Sequence, residues 1–336
     1  DALLSLARRD DVEAITPLRE SDILVLAKNT EEFAEHLTPT WPPFSTLETV
    51  HDRMQLVDAA RRAGVPTPKT ELLDTIDSWD RNRIVKGRFS IVTRDYVENA
   101  PRNRTASPPS TVYLEPGREP DVEELISAMG HVPIAQEFVS GTQYSFRALY
   151  NNGDPTLTSQ KRLVRGMKYP RGPSVFHESV DIPELKELSL ALLDELEWHG
   201  VASVQFIRDE SGTFKLLEVN PRLWASLNLD RRAGVDYPYN LLRLARNQSI
   251  PANDAYRPGI STHILRGELV HLHSVLFDTY PLVDPPSVSR TLKDIAISVY
   301  TSPNFDYLSL DDPGPFVRDL LNMAETELLQ ESREGA

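Results

Sequence analysis

The sequence predicts an α+β protein, and three stretches carry that prediction. Val201-Ala202-Ser203-Val204-Gln205-Phe206-Ile207 and Phe214-Lys215-Leu216-Leu217-Glu218-Val219-Asn220 read as a buried hairpin around Asp209-Glu210-Ser211-Gly212, with glycine at the tight position. Residues 143–150 and 155–162 alternate as a second strand pair around Asn151-Asn152-Gly153-Asp154, itself a hairpin turn signal. Helical stretches at 46–64, 121–129 and 184–199 lie before and between these pairs, so the chain combines antiparallel hairpins with helices.

In chain order, residues 1–45 alternate helix (2–9), strand (12–16) and helix (21–36), an α/β pattern. It opens on a helix, so an opening strand is expected to be missing. The helix at 46–64 closes on Gly64 and leaves through the stiff Val65-Pro66-Thr67-Pro68. Arg83-Ile84-Val85-Lys86 is a short strand. The loop at 87–110 carries Arg94, Arg102 and Arg104 among prolines and polar residues; it is expected to be mobile and these three arginines to be solvated rather than to act electrostatically at a site. A strand over 131–139 rises to Ser140-Gly141, and residues 161–174 form the densest basic stretch of the chain. Another helix starts near Asn240. Residues 260–336 hold a strand–helix pair and a last helix (315–330) without a catalytic pattern, and there is no internal repeat.

The 336 residues suffice for two or three packed lobes. There is no cysteine, which removes disulfides, thiolate catalysis and cysteine-ligated zinc. No run of about 18 apolar residues offers a membrane span. The first ten residues read as a charged amphipathic helix rather than a signal peptide, so a cytoplasmic location is expected. The net charge of −14 argues against a nucleic-acid partner. Arginine far outnumbers lysine among abundant acids, which fits either adaptation to high salt or an ordinary acidic cytosolic protein. A homodimer is left open. Paired zinc-helix histidines, a Gly-Lys-Ser/Thr phosphate loop, a Gly-x-Ser-x-Gly elbow and a Gly-x-Gly-x-x-Gly fingerprint are all absent from the sequence.

The chemistry concentrates at the end of the hairpin. Period-two geometry puts Glu218, Asn220 and Arg222 on one face, and Pro221 ends the ladder. A carboxylate beside an amide carbonyl suits a hard cation, and an arginine can hold a phosphate oxygen. Gln205 on the partner strand faces the same cavity. A lone Glu-x-Asn is ordinarily just a solvated strand end; the facing glutamine weakens that reading.

With these residues in this order, the chain resembles the ATP-grasp superfamily, in particular its carbamoyl-phosphate synthetase-like carboxylate–amine ligases, over roughly residues 46–250. The resemblance implies an ATP-grasp fold: two α+β lobes closing on ATP. It implies a partial α/β domain over 1–45, the ATP-grasp domain over 46–250 with a mobile small lobe at about 78–140, and an α-rich extension over 251–336. By the same resemblance, Gln205, Glu218 and Asn220 bind Mg²⁺ (or Mn²⁺), and Arg222 serves the phosphates and catalysis. Asp52-Arg53 matches the start of a helix whose cation contacts ATP phosphate, and Lys86 matches a phosphate-gripping strand end. Gln136-Glu137-Phe138-Val139 matches the hinge that pairs with adenine, and Gln143 sits where relatives place a ribose-binding carboxylate. Arg162 and Arg165, with Lys161 and Lys168 given less weight, match a basic segment expected to meet the substrate carboxylate and its acyl phosphate. The implied reaction joins a small-molecule carboxylate to an amine. Two departures stand out: loop 87–110 lacks the usual glycine-rich flap, and Gln143 replaces a carboxylate. They keep open an inactive ATP-binding regulatory or complex subunit; an ATP-grasp kinase or carboxylase would use the same ATP residues.

Overall fold

The computed structural model describes residues 2–97, 100, 110–169, 172–251, 255–278, 282–309, 311–319 and 321–322. Five helices open the chain: α1 (Ala2–Ala7), α2 (Glu20–Lys28), α3 (Thr30–Ala34), α4 (Phe44–His51) and α5 (Arg53–Arg62). The strand expected at 12–16 is not formed. A strand needs a paired edge; here Val12 and Ile15 instead pack their side chains onto the main core. The helix expected at 21–36 is divided at Asn29, and the one expected at 46–64 is broken at Asp52. Asp52 adopts an extended conformation (φ −88°, ψ 106°) and caps α5, its Oδ1 accepting from Met54 N at 3.0 Å. Arg88 holds the same carboxylate at 2.6 Å, so the kink also ties the helices to the small lobe.

The small lobe is a four-stranded antiparallel sheet in the order β1 (Thr70–Leu72), β4 (Ile134–Glu137), β2 (Arg83–Lys86), β3 (Val112–Leu114), packed on α6 (Val122–Met129). Leu73, Val85, Leu114, Met129 and Ala135 form its core. Asp121 caps α6 through Glu124 N, and Gly130, at φ 68°, ends it in the left-handed conformation that glycine adopts without strain.

The large lobe holds a six-stranded antiparallel sheet built from β5 (Gly141–Asn151), β6 (Asp154–Gly166), β7 (Ser174–Ser179), β8 (Gly200–Asp209), β9 (Phe214–Asn220) and β10 (Ser261–His263). Its order is β10-β7-β6-β5-β8-β9. Gly141 starts β5 where a Cβ would fall 2.0 Å from Arg208 O, so only glycine fits there. One face carries Phe146, Ala148, Val204, Phe206 and Val219 and packs on α4, α5, the N-terminal helices and α7 (Pro183–Glu195) in a single core. The other face changes character along its length. At one end Leu149, Leu157 and Val201 are covered by α8 (Leu227–Arg232) and α9 (Tyr237–Ala245). At the other end the same face is polar, with Gln143, Ser145, Lys161 and Gln205, and it is this end that faces the small lobe.

The strand expected after residue 260 is β10. It is the sixth strand of the large sheet, and α10 (Leu265–Phe277) and α11 (Val288–Thr301) follow it. Of the helix expected at 315–330, residues 314–319 and 321–322 are helical and the rest lie outside the described residues, as do Arg102 and Arg104. No helix among the described residues is long and apolar enough to cross a membrane.

Candidate active site

A cleft of about 620 Å³ lies between Ile84, Lys86 and Gln136 of the small sheet and the polar end of the large one. Its floor follows from strand register. Residues directly opposite in antiparallel strands point to the same side, and Gln205 is opposite Glu218, Asn220 opposite Ser203, and Gln205 in turn opposite Ser145. The register shifts by one residue at Leu217. That shift lets Leu216 and Val219 both reach the buried core while Leu217 and Glu218 both line the cleft. Asn220 Nδ2 donates to Glu218 Oε1 at 2.9 Å, so the acid and the amide expected to share a face do so.

Arg222 lines the cleft beyond them; its Nε donates to Glu20 Oε1 at 3.2 Å and its Nη1 to Leu223 O at 3.3 Å. Behind this wall the buried Arg147 guanidinium donates to Asp230 and to Ser226 Oγ, and Trp224 Nε1 donates to Asp230 at 2.7 Å. This network pins residues 223–226 against the sheet, so the turn that carries Arg222 is held at both ends.

On the opposite wall Lys86 Nζ donates to Gln136 Oε1 at 2.9 Å, and Gln136 Nε2 donates to Thr70 Oγ1 at 2.8 Å. Arg53 Nη1 donates to Gly87 O at 2.6 Å. Burial pulls the Arg53 guanidinium below its ordinary value, against the opposing pull of Glu218 and then Glu20, so these charges share one region. Gln143 lines the cleft. Glu137, Phe138 and Val139 are not among its lining residues: Glu137 Oε2 accepts from Lys69 N at 3.3 Å, Phe138 stands edge-on to Tyr113, and Val139 is buried. Alternation accounts for Glu137, since Gln136 faces the cleft and its neighbour on the strand therefore faces away, and the strand ends before Phe138.

The basic segment is rearranged relative to expectation. The Asn152-Gly153 turn pairs Asn151 with Asp154 and Tyr150 with Pro155, a register that would continue to Gln143 opposite Arg162. Instead the register shifts by one residue at Thr156, next to a proline that cannot donate to the ladder. Every later side chain of β6 changes face, so Lys161 comes opposite Ser145 and into the cleft, and Arg162 points away to an ion pair with Glu178 at 2.5 Å. A second shift at Val164 sends Arg165 away as well. There it binds both oxygens of buried Glu268, at 2.6 and 3.0 Å, and Ser298 Oγ at 2.7 Å. Arg162 and Arg165, expected to meet the substrate carboxylate, are therefore corrected to back-face anchors, and Lys168 is exposed outside the cleft.

Lys161 is the cation the bulges deliver. Burial, assisted by the Arg147 charge, pushes its amine down to about 7. His177 lies beneath it on the same face, its Nε2 2.8 Å from Thr262 Oγ1 and 3.1 Å from Asp306 Oδ2. Burial lowers the His177 imidazole despite that carboxylate.

Among the described residues no group of three or more His, Cys, Asp or Glu side chains could hold a metal ion. One carboxylate and two amides share this face: Glu218 and Gln205 line the cleft, and Asn220 is bonded to Glu218. Such an all-oxygen set fits a hard cation that keeps waters and takes further ligands from a bound phosphate. The residues that sequence reasoning missed come from the chain ends: Glu20 from α2, and Arg266, Tyr307 and Asp319 from the extension, which line the cleft. No local pattern could have revealed them. Lys161, named in the sequence with less weight, could be preferred to Arg162 only by anticipating the shift beside Pro155.

Residues 137–267 match the family model described as ATP-grasp in the biosynthetic pathway with Ter operon. No curated protein sequence matches the chain. Among solved structures, the chain is similar to the biotin carboxylase domain of Hydrogenobacter thermophilus 2-oxoglutarate carboxylase, a dimer in complex with MgADP, ADP and bicarbonate. The identity is 16% and the TM-score 0.57, over 77% of this chain and 59% of that one. Biotin carboxylase from Campylobacter jejuni, solved with β,γ-ATP, is similar at 14% identity and a TM-score of 0.59, over 77% and 60%. An L-amino acid ligase from Bacillus licheniformis is similar at 16% identity and a TM-score of 0.54, over 77% and 64%. The chain thus spans about three fifths of the two carboxylase chains' length. At these identities the shared property is the fold.

Proposed function

We propose that this chain, whose two lobes form an ATP-grasp fold, is an ATP- and Mg²⁺-dependent carboxylate–amine ligase working through an acyl phosphate. One observation carries the reading: Gln205 and Glu218, with Asn220 bonded to Glu218, the cations Lys86, Lys161 and Arg222 and the amide Gln143 converge on one cleft between the lobes. Phosphoryl transfer asks a protein for positioning and charge neutralisation rather than a nucleophile. This site offers that through its charged and amide side chains.

In this reading Lys86 and Arg53 hold the nucleotide phosphates, the segment at Gln136 meets the adenine, and Gln143 meets the ribose. Glu218, Gln205 and Asn220 would hold Mg²⁺ (or Mn²⁺), which neutralises phosphate charge when bound. Arg222 orients the substrate carboxylate toward the terminal phosphate. Lys161 Nζ faces the charge that develops on the transferring group, and with its amine near neutrality it can also take a proton from the incoming amine. Attack of that amine on the acyl phosphate forms the C–N bond, breaks the C–O bond and releases phosphate. The ATP pool of the cytoplasm is the expected setting.

ADP release measured against a panel of carboxylic acids and amines, with mass spectrometry of the products, tests the proposal. An amide formed only with acid, amine, ATP and Mg²⁺ together supports it. A phosphorylated or carboxylated product would make the chain a kinase or carboxylase, and tight Mg·ATP binding without turnover on any pair would make it a regulatory subunit.

A further inference from the structure

We infer that Glu20 is a positioning residue of this active site: it fixes the Arg222 guanidinium and so makes the N-terminal helices part of the catalytic unit. The inference rests on the ligase reading above.

Glu20 is the first residue of α2, 202 positions away from Arg222. Its Oε1 accepts from Arg222 Nε at 3.2 Å, and its Oε2 lies 3.7 Å from Nε2 of His51, a side chain 1% exposed. The Glu20 side chain is itself only 18% exposed. A carboxylate so buried is costly without a partner, and Arg222 is the partner that holds it. Burial raises the Glu20 carboxyl above its ordinary value, and the Arg222 charge opposes that rise.

The geometry of the fork gives this contact its consequence. A guanidinium presents its five N–H groups in a rigid plane, so anchoring one edge orients the rest. Glu20 takes Nε and Leu223 O takes Nη1. Among the described residues Nη2 has no protein acceptor, and Arg222 lines the cleft. Without Glu20 the long side chain has one weak backbone contact left, and the neighbouring Glu218 becomes its competing carboxylate. Glu20 is in electrostatic reach of Arg222, Glu218 and Arg53, and Arg53 in turn of Glu218.

The test compares Glu20→Ala with Glu20→Gln in the full chain, Gln retaining an oxygen for Arg222 Nε–H. The expected result for Glu20→Ala is a fall in kcat of about 10²-fold, the scale of a small misplacement of a reacting group, with KM for ATP unchanged within about two-fold. Glu20→Gln should recover most of the rate. A second readout needs no substrate: hydrogen exchange at Arg222 Nε–H by NMR, assigned with Arg222→Lys, should quicken in Glu20→Ala and stay slow in Glu20→Gln. Unchanged exchange in Glu20→Ala would overturn the contact. Equal rate losses in both variants, tracking a common drop in Tm, would overturn the positioning role in favour of a structural one. No turnover by the wild type with any acid–amine pair would overturn the ligase reading and the catalytic part of this inference, while the exchange measurement still decides the contact.

Discussion

Lys161 and Ser145 face each other directly across β6 and β5, and both line the cleft, whereas Arg162, one residue on, faces Glu178 on the far side of the sheet. Two adjacent cations of one strand therefore have different chemistry. A one-residue register shift decides which of them enters the cleft.

Replacing Lys161 by Met should lower turnover by roughly 10²–10³-fold, the scale seen when one preorganised electrostatic contact is lost. Arg162→Ala should change turnover little, since its partly exposed ion pair is worth about 0–1 kcal/mol. Steady-state kinetics on both variants checks the pair. A rate loss in Arg162→Ala as deep as in Lys161→Met would mean that β6 has the opposite face inward.

Arg165→Ala should act on stability rather than on chemistry. It strands buried Glu268, which also sits 2.8 Å from His263 Nδ1, and breaking one partner of a buried pair costs about 3–5 kcal/mol. Thermal or denaturant unfolding should show the loss, with the kcat of the folded fraction close to wild type.

Glu218→Gln and Asn220→Ala should abolish Mg²⁺-dependent turnover while circular dichroism stays native. Each removes a charge or an oxygen from the cleft floor without touching the core. Titrating Mg²⁺ into each variant makes the check, and wild-type rates at ordinary Mg²⁺ for Glu218→Gln would remove it from the metal site.

Lys86→Ala and Arg53→Ala should each weaken ATP binding by about 1.5–3 kcal/mol, roughly ten-fold or more in affinity. Calorimetry with ATP and Mg²⁺ reads this directly. Unchanged affinity in both would leave them structural roles, such as the contacts of Lys86 with Gln136 and of Arg53 with Gly87.

Acid should destabilise the fold through His51. Burial, reinforced by Arg53, pushes its imidazole down to about 4 from an ordinary 6.5. The unfolded chain therefore takes up a proton at a pH where the folded chain does not. The stability is fully present above pH 6.5 and is lost as pH falls toward 4, to a limit of about 3 kcal/mol. Unfolding curves between pH 7 and 4 should show a shallower acid slope for His51→Gln than for the wild type.

What could be read from the sequence was what local rules govern. The β8–β9 hairpin and its Asp209–Gly212 turn, the strand ending at Lys86, and the shared face of Gln205, Glu218 and Asn220 all formed as expected. Each depends only on period-two alternation and a tight turn. The strand expected at 12–16 failed for a matching reason, because a strand requires an edge that no local pattern supplies. The helix over 46–64 broke because Asp52 serves as a cap and as the partner of distant Arg88.

Sequence alone thus determined the chemical kind of this site: oxygen donors and cations at the end of a hairpin. Tertiary structure decided its membership. The register shift at Thr156 brought Lys161 in and sent Arg162 out, because a slip of one residue inverts the side chains that follow. The second shift, at Val164, inverts them again and leaves Arg165 on the outer face. Glu20, Arg266, Tyr307 and Asp319 joined from the two ends of the chain, since a cleft between packed lobes collects residues by distance in space, which separation along the chain does not encode.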